Sequence, residues 1–279
     1  MSKKKAKNAG WNLLVNIPIM FLSLSCIYPV VWLMYSSLKT DQEFAVNPMS
    51  LPRHPMFSNY VEAFKKAHFG MFLFNTAYNS IVSLILVLFI SFIMGYLLSR
   101  FRFRGRGIIF GLLLASMMIP IYALIVPIFI QEKKIGILNT RVSLIPVYVM
   151  MELPTSVFLI DGYLKGLSTE LEDAAAIDGA TLWQTMWKVI FPICKPIIST
   201  VVILTFMHVW NEFAFAQVLI SKEELKTIQI GLTYFTSQYM KSYTLLLSGL
   251  AMATFPVLVI YLFFYNQIMQ GMMAGAVKG

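Results

Sequence analysis

Glu212 stands alone as a carboxylate in a run that is otherwise free of charge from Pro196 to Ser221. A carboxylate in an apolar span is expensive unless it is paired or solvated, so its presence is a functional hypothesis in itself. Two roles fit it. It can be a gating or solute-path residue with Asn211 beside it, or it can make an internal hydrogen bond that holds a helix bundle, for example to His208 one turn earlier. Glu152 and Asp161 carry the same ambiguity, with Asp161 expected near an interface and within reach of water. Tyr122, Tyr148, Trp210, Phe213 and Phe215 offer flat faces on which a ring-shaped solute could stack, although packing serves any one of them equally well.

Other chemistry is sparse. His54, His68 and His208 are scattered without ligand partners at helical spacing, and Cys26 and Cys194 lie far apart in or beside apolar segments. That pattern suits neither a metal site nor a nucleophile with its base, so no metal and no catalytic residue is expected. No G-x-x-x-x-G-K-[ST] loop is present, and the chain should not hydrolyse nucleotide by itself. The RGRGIIFG run, with Gly105, Gly107 and Gly111, has the wrong spacing for a dinucleotide site and follows an apolar span rather than a strand.

The elements that must position these residues are membrane spans. Of 279 residues, 58% are hydrophobic and 13% charged, with a mean hydropathy of +0.72. Such long charge-free runs define an all-α polytopic membrane protein in contact with the lipid bilayer. The net charge of +9 sits in short clusters beside apolar runs, which is a topology signal rather than a nucleic-acid surface. Six spans are expected, at about 13–37, 72–98, 108–130, 142–163, 197–220 and 244–266, each near the roughly 20 residues that cross the hydrocarbon. Pro18, Pro29, Pro120, Pro127, Pro146 and Pro154 predict kinks within them. The apolar region after MSKKKAK is too long for a signal peptide and reads as a retained first span.

Lys3, Lys4, Lys5 and Lys7, and then Arg100, Arg102, Arg104 and Arg106, form two acid-free basic clusters that should both be cytoplasmic. Segments 39–71, 131–141 and 221–243, where Asp41, Glu43, Glu62, Glu132, Glu223 and Glu224 dilute the lysines, then fall outside. Both termini and the Lys165–Pro196 loop fall inside. The expected organisation is a first span with its outer segment at 1–71, a core at 72–266 and a cytoplasmic tail at 267–279.

The Lys165–Pro196 loop, KGLSTELEDAAAIDGATLWQTMWKVIFPICKP, is long for a connection without a task. Glu170, Glu172 and Asp173 favour a helix start after Ser168 or Thr169, and Ala174, Ala175 and Ala176 favour its continuation to Ile177 without bulk. Gly179, after Asp178, can take positive φ and end that helix. A second helix is expected from about Leu182 to Ile190, with Leu182, Met186, Val189 and Ile190 on one apolar face. Pro192 and Pro196 close the segment. Two short helices with a sharp turn can dock into a partner, or the second can rest on lipid as an interfacial helix. The acids beside the alanines favour docking.

This loop resembles the EAA motif of permease subunits of bacterial ABC importers, E-A-A, three residues, Gly, nine residues, I-x-L-P. Asp173, Ala174, Ala175 and Gly179 match its first part, with aspartate for the usual glutamate. Val189, Phe191 and Pro192 match the second with conservative changes. VWNEFAFAQVLI, Val209 to Ile220, is similar to the W-N-E-F segment of carbohydrate-importer permeases, and QGMMAGAVKG, Gln270 to Gly279, to the ending of MalG-type permeases. All three occur in the family's order, across about 70 to 279.

The resemblance implies a type I importer permease fold that carries a carbohydrate substrate, an oligosaccharide above all, without catalysis in this chain. It implies a second, MalF-like permease subunit, two ABC ATPase subunits that bind ATP and Mg, and an extracytoplasmic solute-binding protein, all at a bacterial cytoplasmic membrane and none involving nucleic acid. The ATPase-coupling residues would be Glu172, Asp173, Ala174, Ala175, Ala176, Asp178, Gly179 and Pro192. A tail of Gly271, Gly275, Ala276, Val277, Lys278 and Gly279 would reach towards the ATPase interface. The substrate path would take Tyr122, Tyr148, Trp210, Asn211 and Glu212. An ion-coupled secondary transporter is disfavoured by the lack of an internal repeat, and a membrane scaffold or sensor with a docking loop is the remaining alternative.

Overall fold

The computed structural model describes residues 2–66, 68–237 and 242–276, and among them there are helices and loops but no strand. In chain order the helices are α1 (Ser2–Ser36), α2 (Asp41–Val46), α3 (Ser58–Lys66), α4 (Phe69–Arg100), α5 (Arg106–Ser116), α6 (Ile125–Ile135) and α7 (Leu144–Lys165). They continue as α8 (Glu170–Ile177), α9 (Leu182–Gln184), α10 (Phe191–Ile193), α11 (Lys195–Asn211), α12 (Ala214–Leu219), α13 (Ile228–Ser237) and α14 (Tyr243–Ala276). Among the described residues, four stretches are long and apolar enough to cross a membrane unbroken: Asn16–Ser36, Phe69–Arg100, Leu144–Lys165 and Tyr243–Tyr265.

The third expected span, 108–130, is no single kinked helix. α5 and the Ile121–Ile135 segment meet at 95°. Pro120 has no N–H to give to a helix and disfavours helical backbone at Ile119, so the chain turns there. Pro127 and Pro146 are each the third residue of their helix, α6 and α7, where the N–H has no intrahelical partner to lose. They start helices instead of kinking them. Pro18 and Pro29 in α1 and Pro154 in α7 do lie inside helices, as does Pro256 in α14. The fifth expected span, 197–220, is also interrupted: α11 ends at Asn211 and the helix resumes at Ala214.

The chain divides into two compact units. The first comprises Met1–Phe69 and Leu232–Thr254. Its segment after α1 is tied down residue by residue. The buried Lys39 ammonium donates to the carbonyls of Asn47 and Pro48 at 3.2 and 2.9 Å, and burial pulls its pKa below the ordinary lysine value while Glu43 opposes this. Thr40 and Glu43 form a capping box at the start of α2. Asn59 donates to the carbonyls of Ser37 and Lys39, and Asp41 accepts from both the backbone N–H and the hydroxyl of Thr244.

The second unit comprises Gly70–Gly231 and Phe255–Gly279. Among the described residues its core includes two apolar clusters. One gathers Val87, Phe92 and Tyr96 of α4, Ile160 and Leu164 of α7, and Met186, Ile190, Cys194 and Val201. The other gathers Leu144, Val147 and Tyr148 of α7 with Val209, Phe215, Ala216, Leu219 and Ile220. Gly95 lets α4 approach α7 closely, since a Cβ there would lie 2.7 Å from Ile160 Cγ2. Small residues at such crossings are how membrane helices gain packing without a hydrophobic driving force.

Candidate functional site

The loop after α7 folds as two short helices, and each junction has a local cause. The Ser168 hydroxyl accepts from the Glu170 N–H at 3.2 Å, and the Thr169 carbonyl accepts from Glu172 and Asp173, which starts α8. The helix therefore begins at Glu170 with Thr169 at the cap position, the later of the two expected starts. At its other end Gly179 takes φ +76°. The Gly179 N–H donates to the Ala176 carbonyl and the Ala180 N–H to the Ala175 carbonyl, the two bonds of a Schellman stop.

Thr181 then opens the next helix through a capping box with Gln184: its hydroxyl accepts from the Gln184 N–H at 3.3 Å, and the Gln184 side chain accepts from the Thr181 N–H at 2.9 Å. The T-x-x-Q spacing carries this signal in the sequence, although the periodicity alone does not show it. Beyond α9 the backbone widens into a π-helix over Thr185–Ile190 before α10. The expected α-helical face is thus only half realised. Met186 and Ile190 are buried and Val189 packs beside them, whereas Leu182 stays 52% exposed. π-Helical turns recur at functional positions.

Two anchors fix this element to the spans. Arg100 Nε donates to Glu172 Oε1 at 2.7 Å, and its Nη2 donates to the Leu167 carbonyl. Trp187 stacks on Phe89 at 5.7 Å between ring centroids and sits 5.3 Å from Phe92. Of the sequence-predicted residues, Glu172 and Ala175 point into the protein, while Asp173, Ala174, Ala176, Asp178, Gly179 and Pro192 are exposed. The exposed side also carries Leu171, Ile177, Leu182 and Trp183, with Ile177 at 87%. Exposed apolar side chains set among acids, on an element tied to α4, suit a protein-docking surface.

The apolar-span acid makes internal hydrogen bonds, the second of the two expected roles, but with partners other than His208. Glu212 sits at the gap between α11 and α12, where Oε1 accepts from the Phe215 N–H at 2.8 Å and Oε2 from the Ala216 N–H at 3.1 Å. Tyr148 donates its hydroxyl to the same Oε2 at 3.1 Å. The carboxylate therefore satisfies orphan amides that the break creates. His208 does not bond to it; its Nδ1 lies 3.0 Å from Glu152 Oε1. Asp161, expected to reach water, is 2% exposed and pairs with Lys165 Nζ at 2.6 Å, and the lysine carries the charge outward instead.

Among the five path residues named from sequence, Tyr148, Trp210 and Glu212 are buried, with Trp210 stacked on Phe206 at 5.1 Å. Tyr122 and Asn211 are exposed. Gly271, Gly275 and Ala276 lie on the last turns of α14, and Val277, Lys278 and Gly279 lie outside the described residues. No cluster of metal-ligating side chains occurs among the described residues.

Comparison with known proteins shows the family to which the chain belongs. The chain is 30% identical to the sulfoquinovosyl glycerol transport system permease protein SmoH of Agrobacterium fabrum, over 94% of each chain. It is 33% identical to the diacetylchitobiose uptake system permease protein NgcG of Streptomyces coelicolor, over 88% of this chain and 82% of that one. Its fold superposes on a chain of a bacterial ABC transporter involved in the import of the acidic polysaccharide alginate with a TM-score of 0.82, at 22% identity over 94% of this chain and 98% of that one. Residues 87–272, which include the two-helix loop and the Glu212 break, match the binding-protein-dependent transport system inner membrane component family, and the chain belongs to that family of ABC importer permeases.

Proposed function

We propose that the chain is one permease subunit of an ABC importer for a carbohydrate, an oligosaccharide by the cargo that its relatives' names carry, and that α8, Gly179 and the helix from Leu182 to Ile190 form its coupling element. The observation that supports this most is that Leu171, Ile177, Leu182 and Trp183 are all exposed, on an element held to α4 through Arg100–Glu172 and Trp187. In the proposed dock they form a patch with Asp173 and Asp178. The patch docks in a groove of an ATPase subunit. ATP and Mg bind to two such partners, and closure of their dimer pushes on α8. Because α8 is pinned to α4 and the following turn continues through Cys194 into α11, the push reaches two spans together. A midplane cavity between this chain and a MalF-like permease then opens to either side in turn, and an extracytoplasmic binding protein delivers the sugar. Both termini lie in the cytoplasm, and the Gly271–Gly279 tail extends towards the ATPase pair. Asp173, Ala174, Ala176 and Asp178 make the contact, with Gly179 and Pro192 setting its shape and Glu172 and Ala175 fixing it from behind.

The test is purification of the tagged chain from its host membrane. An ABC ATPase co-purifies, and Gly179→Pro abolishes ATP-driven sugar uptake while the spans still assemble. Solute movement by the purified chain in vesicles without any ATPase overturns the reading.

A further inference from the structure

The turn between α4 and α5 carries charge that its neighbours do not balance. It reads Arg100, Phe101, Arg102, Phe103, Arg104, Gly105, Arg106, and no aspartate or glutamate occurs between Glu62 and Glu132. Arg100 is committed to Glu172 of α8 and to the Leu167 carbonyl just past α7. Lys165, at the end of α7, pairs with Asp161, and its Nζ lies 4.9 Å from the Phe110 ring centroid of α5. The ends of α4 and α7 and the first turns of α5 therefore meet here. Arg100 and Lys165 each have a counterion. The side chains of Arg102, Arg104 and Arg106 have no hydrogen bond or ion pair among the described residues.

The turn presents charge and apolar surface together. Arg102 and Arg104 are exposed and Arg106 is half-buried, while Phe101 and Phe103, set between the arginines, are 39% and 43% exposed. The Phe101 ring leans edge-on against Tyr96 of α4 at 6.1 Å, and the Arg106 N–H donates to the Phe103 carbonyl at 3.3 Å, so the alternation is held in a defined turn. The apolar surface continues along both helices that leave it. Leu97 of α4 and Ile108, Ile109 and Leu112 of α5 are exposed, and α5 buries none of its residues. An acidic protein surface answers the arginines but not the rings between them. The boundary of a bilayer answers both, with phosphates at one depth and acyl chains at the next. Guanidinium groups also match phosphate oxygens two at a time.

We infer that Arg102, Arg104 and Arg106 form a binding site for the headgroup phosphates of anionic phospholipid, with Phe101 and Phe103 seated in the upper acyl layer. The lipid lies in the leaflet on the side of the two-helix loop, since Arg100 and Glu172 tie the turn to α8. The inference rests on the membrane spans and not on the coupling proposed above. Each arginine near an anionic surface strengthens binding roughly fivefold, and three together about a hundredfold.

Lipid retention tests it. The chain, purified with whatever subunits accompany it, is placed in nanodiscs of mixed phosphatidylcholine and phosphatidylglycerol and released into mild detergent, and the lipids it keeps are identified by native mass spectrometry. The wild type keeps phosphatidylglycerol in preference, and the preference fades as salt screens the charges. Arg102→Gln, Arg104→Gln and Arg106→Gln together weaken that retention by about a hundredfold. Lys133→Gln, Lys134→Gln and Lys222→Gln together, which remove three exposed charges elsewhere, leave it unchanged. The glutamines at the turn also weaken a topology signal, so Arg102→Lys, Arg104→Lys and Arg106→Lys, which keep the charge, are read beside them and retain the lipid. Equal retention of both lipids by the wild type, or full preference in the glutamine variant, overturns the inference. So does displacement by inorganic phosphate at an ionic strength where sodium chloride leaves the lipid bound, which makes the site one for free anions. If the glutamine variant loses a co-purifying ATPase and keeps its lipid preference, the turn is a protein contact instead. Absence of any ATPase from the wild-type preparation overturns the transport reading alone, because lipid retention is still measured on the chain itself.

Discussion

Arg100 Nε lies 2.7 Å from Glu172 Oε1, and this contact joins the last residue of α4 to the first turn of α8. Both side chains are largely withdrawn from solvent, at 9% and 14% exposure. The pair is therefore more than a surface ion pair: it ties α8 to α4, and in the proposed coupling it is the joint between them.

Removal of one partner leaves a largely buried charge without its counterion. Arg100→Ala is expected to destabilise the chain by about 3 kcal/mol, the range seen when one member of a buried pair is lost. ATP hydrolysis should continue in the complex with reduced uptake, because the dock remains and the joint is slack. Thermal unfolding and the ratio of uptake to hydrolysis measure the two effects. Exchange of the charges, Arg100→Glu with Glu172→Arg, should recover part of both.

Gly179 at φ +76° has nothing within 4 Å of a would-be Cβ, so any side chain fits in space and only the backbone objects. Gly179→Ala should cost about 1–2 kcal/mol, the left-handed penalty for an L-residue. Gly179→Asn should cost less, since asparagine visits that region more readily. Uptake in the series glycine, asparagine, alanine, valine should fall in that order. A flat series would mean that the turn does not set the geometry of the dock.

The opposite situation holds at Gly95. Here the backbone is helical and the space is missing, with Ile160 Cγ2 at 2.7 Å and Cβ at 3.0 Å from the added carbon. Gly95→Ala is expected to push α4 from α7 at a cost of about 1–3 kcal/mol, as overpacked cores do. Ile160→Ala removes Cγ2, so the double variant should be more stable than the sum of the two single changes. Detergent thermal stability of the four proteins closes this cycle.

What the sequence shows of this molecule and what it hides divide along the range of the interaction. The α8 helix and its stop at Gly179 were legible because acids, alanines and a glycine act within a few residues of one another. The bend at Pro120 was visible as a proline but not as a right angle, since the angle depends on what α6 packs against. The π-helical turn at Thr185–Ile190 was hidden, because Met186, Ile190 and Cys194 settle against residues of α4 and α7 that are distant in sequence. Partners of buried acids were hidden for the same reason. His208 was near Glu212 along the chain, yet it turned to Glu152 on another helix.

Glu212 itself offers the sharpest test of that lesson. Its carboxylate accepts from the Phe215 and Ala216 amides and the Tyr148 hydroxyl, all buried. Glu212→Ala leaves these donors without a partner, and each buried orphan costs about 1–3 kcal/mol, so the loss should be roughly 2 kcal/mol or more. Glu212→Gln keeps one carbonyl oxygen as acceptor but brings an NH2 group against donors, so it should fall between wild type and alanine. Tyr148→Phe removes one donor and leaves the two amides bonded, and should cost about 1 kcal/mol. A residue acting in solute gating would give another pattern, with normal thermal stability and altered uptake in Glu212→Gln. If the break is instead held by the carboxylate, stability and uptake should fall together across alanine, glutamine and the tyrosine variant, in proportion to the hydrogen bonds each one removes.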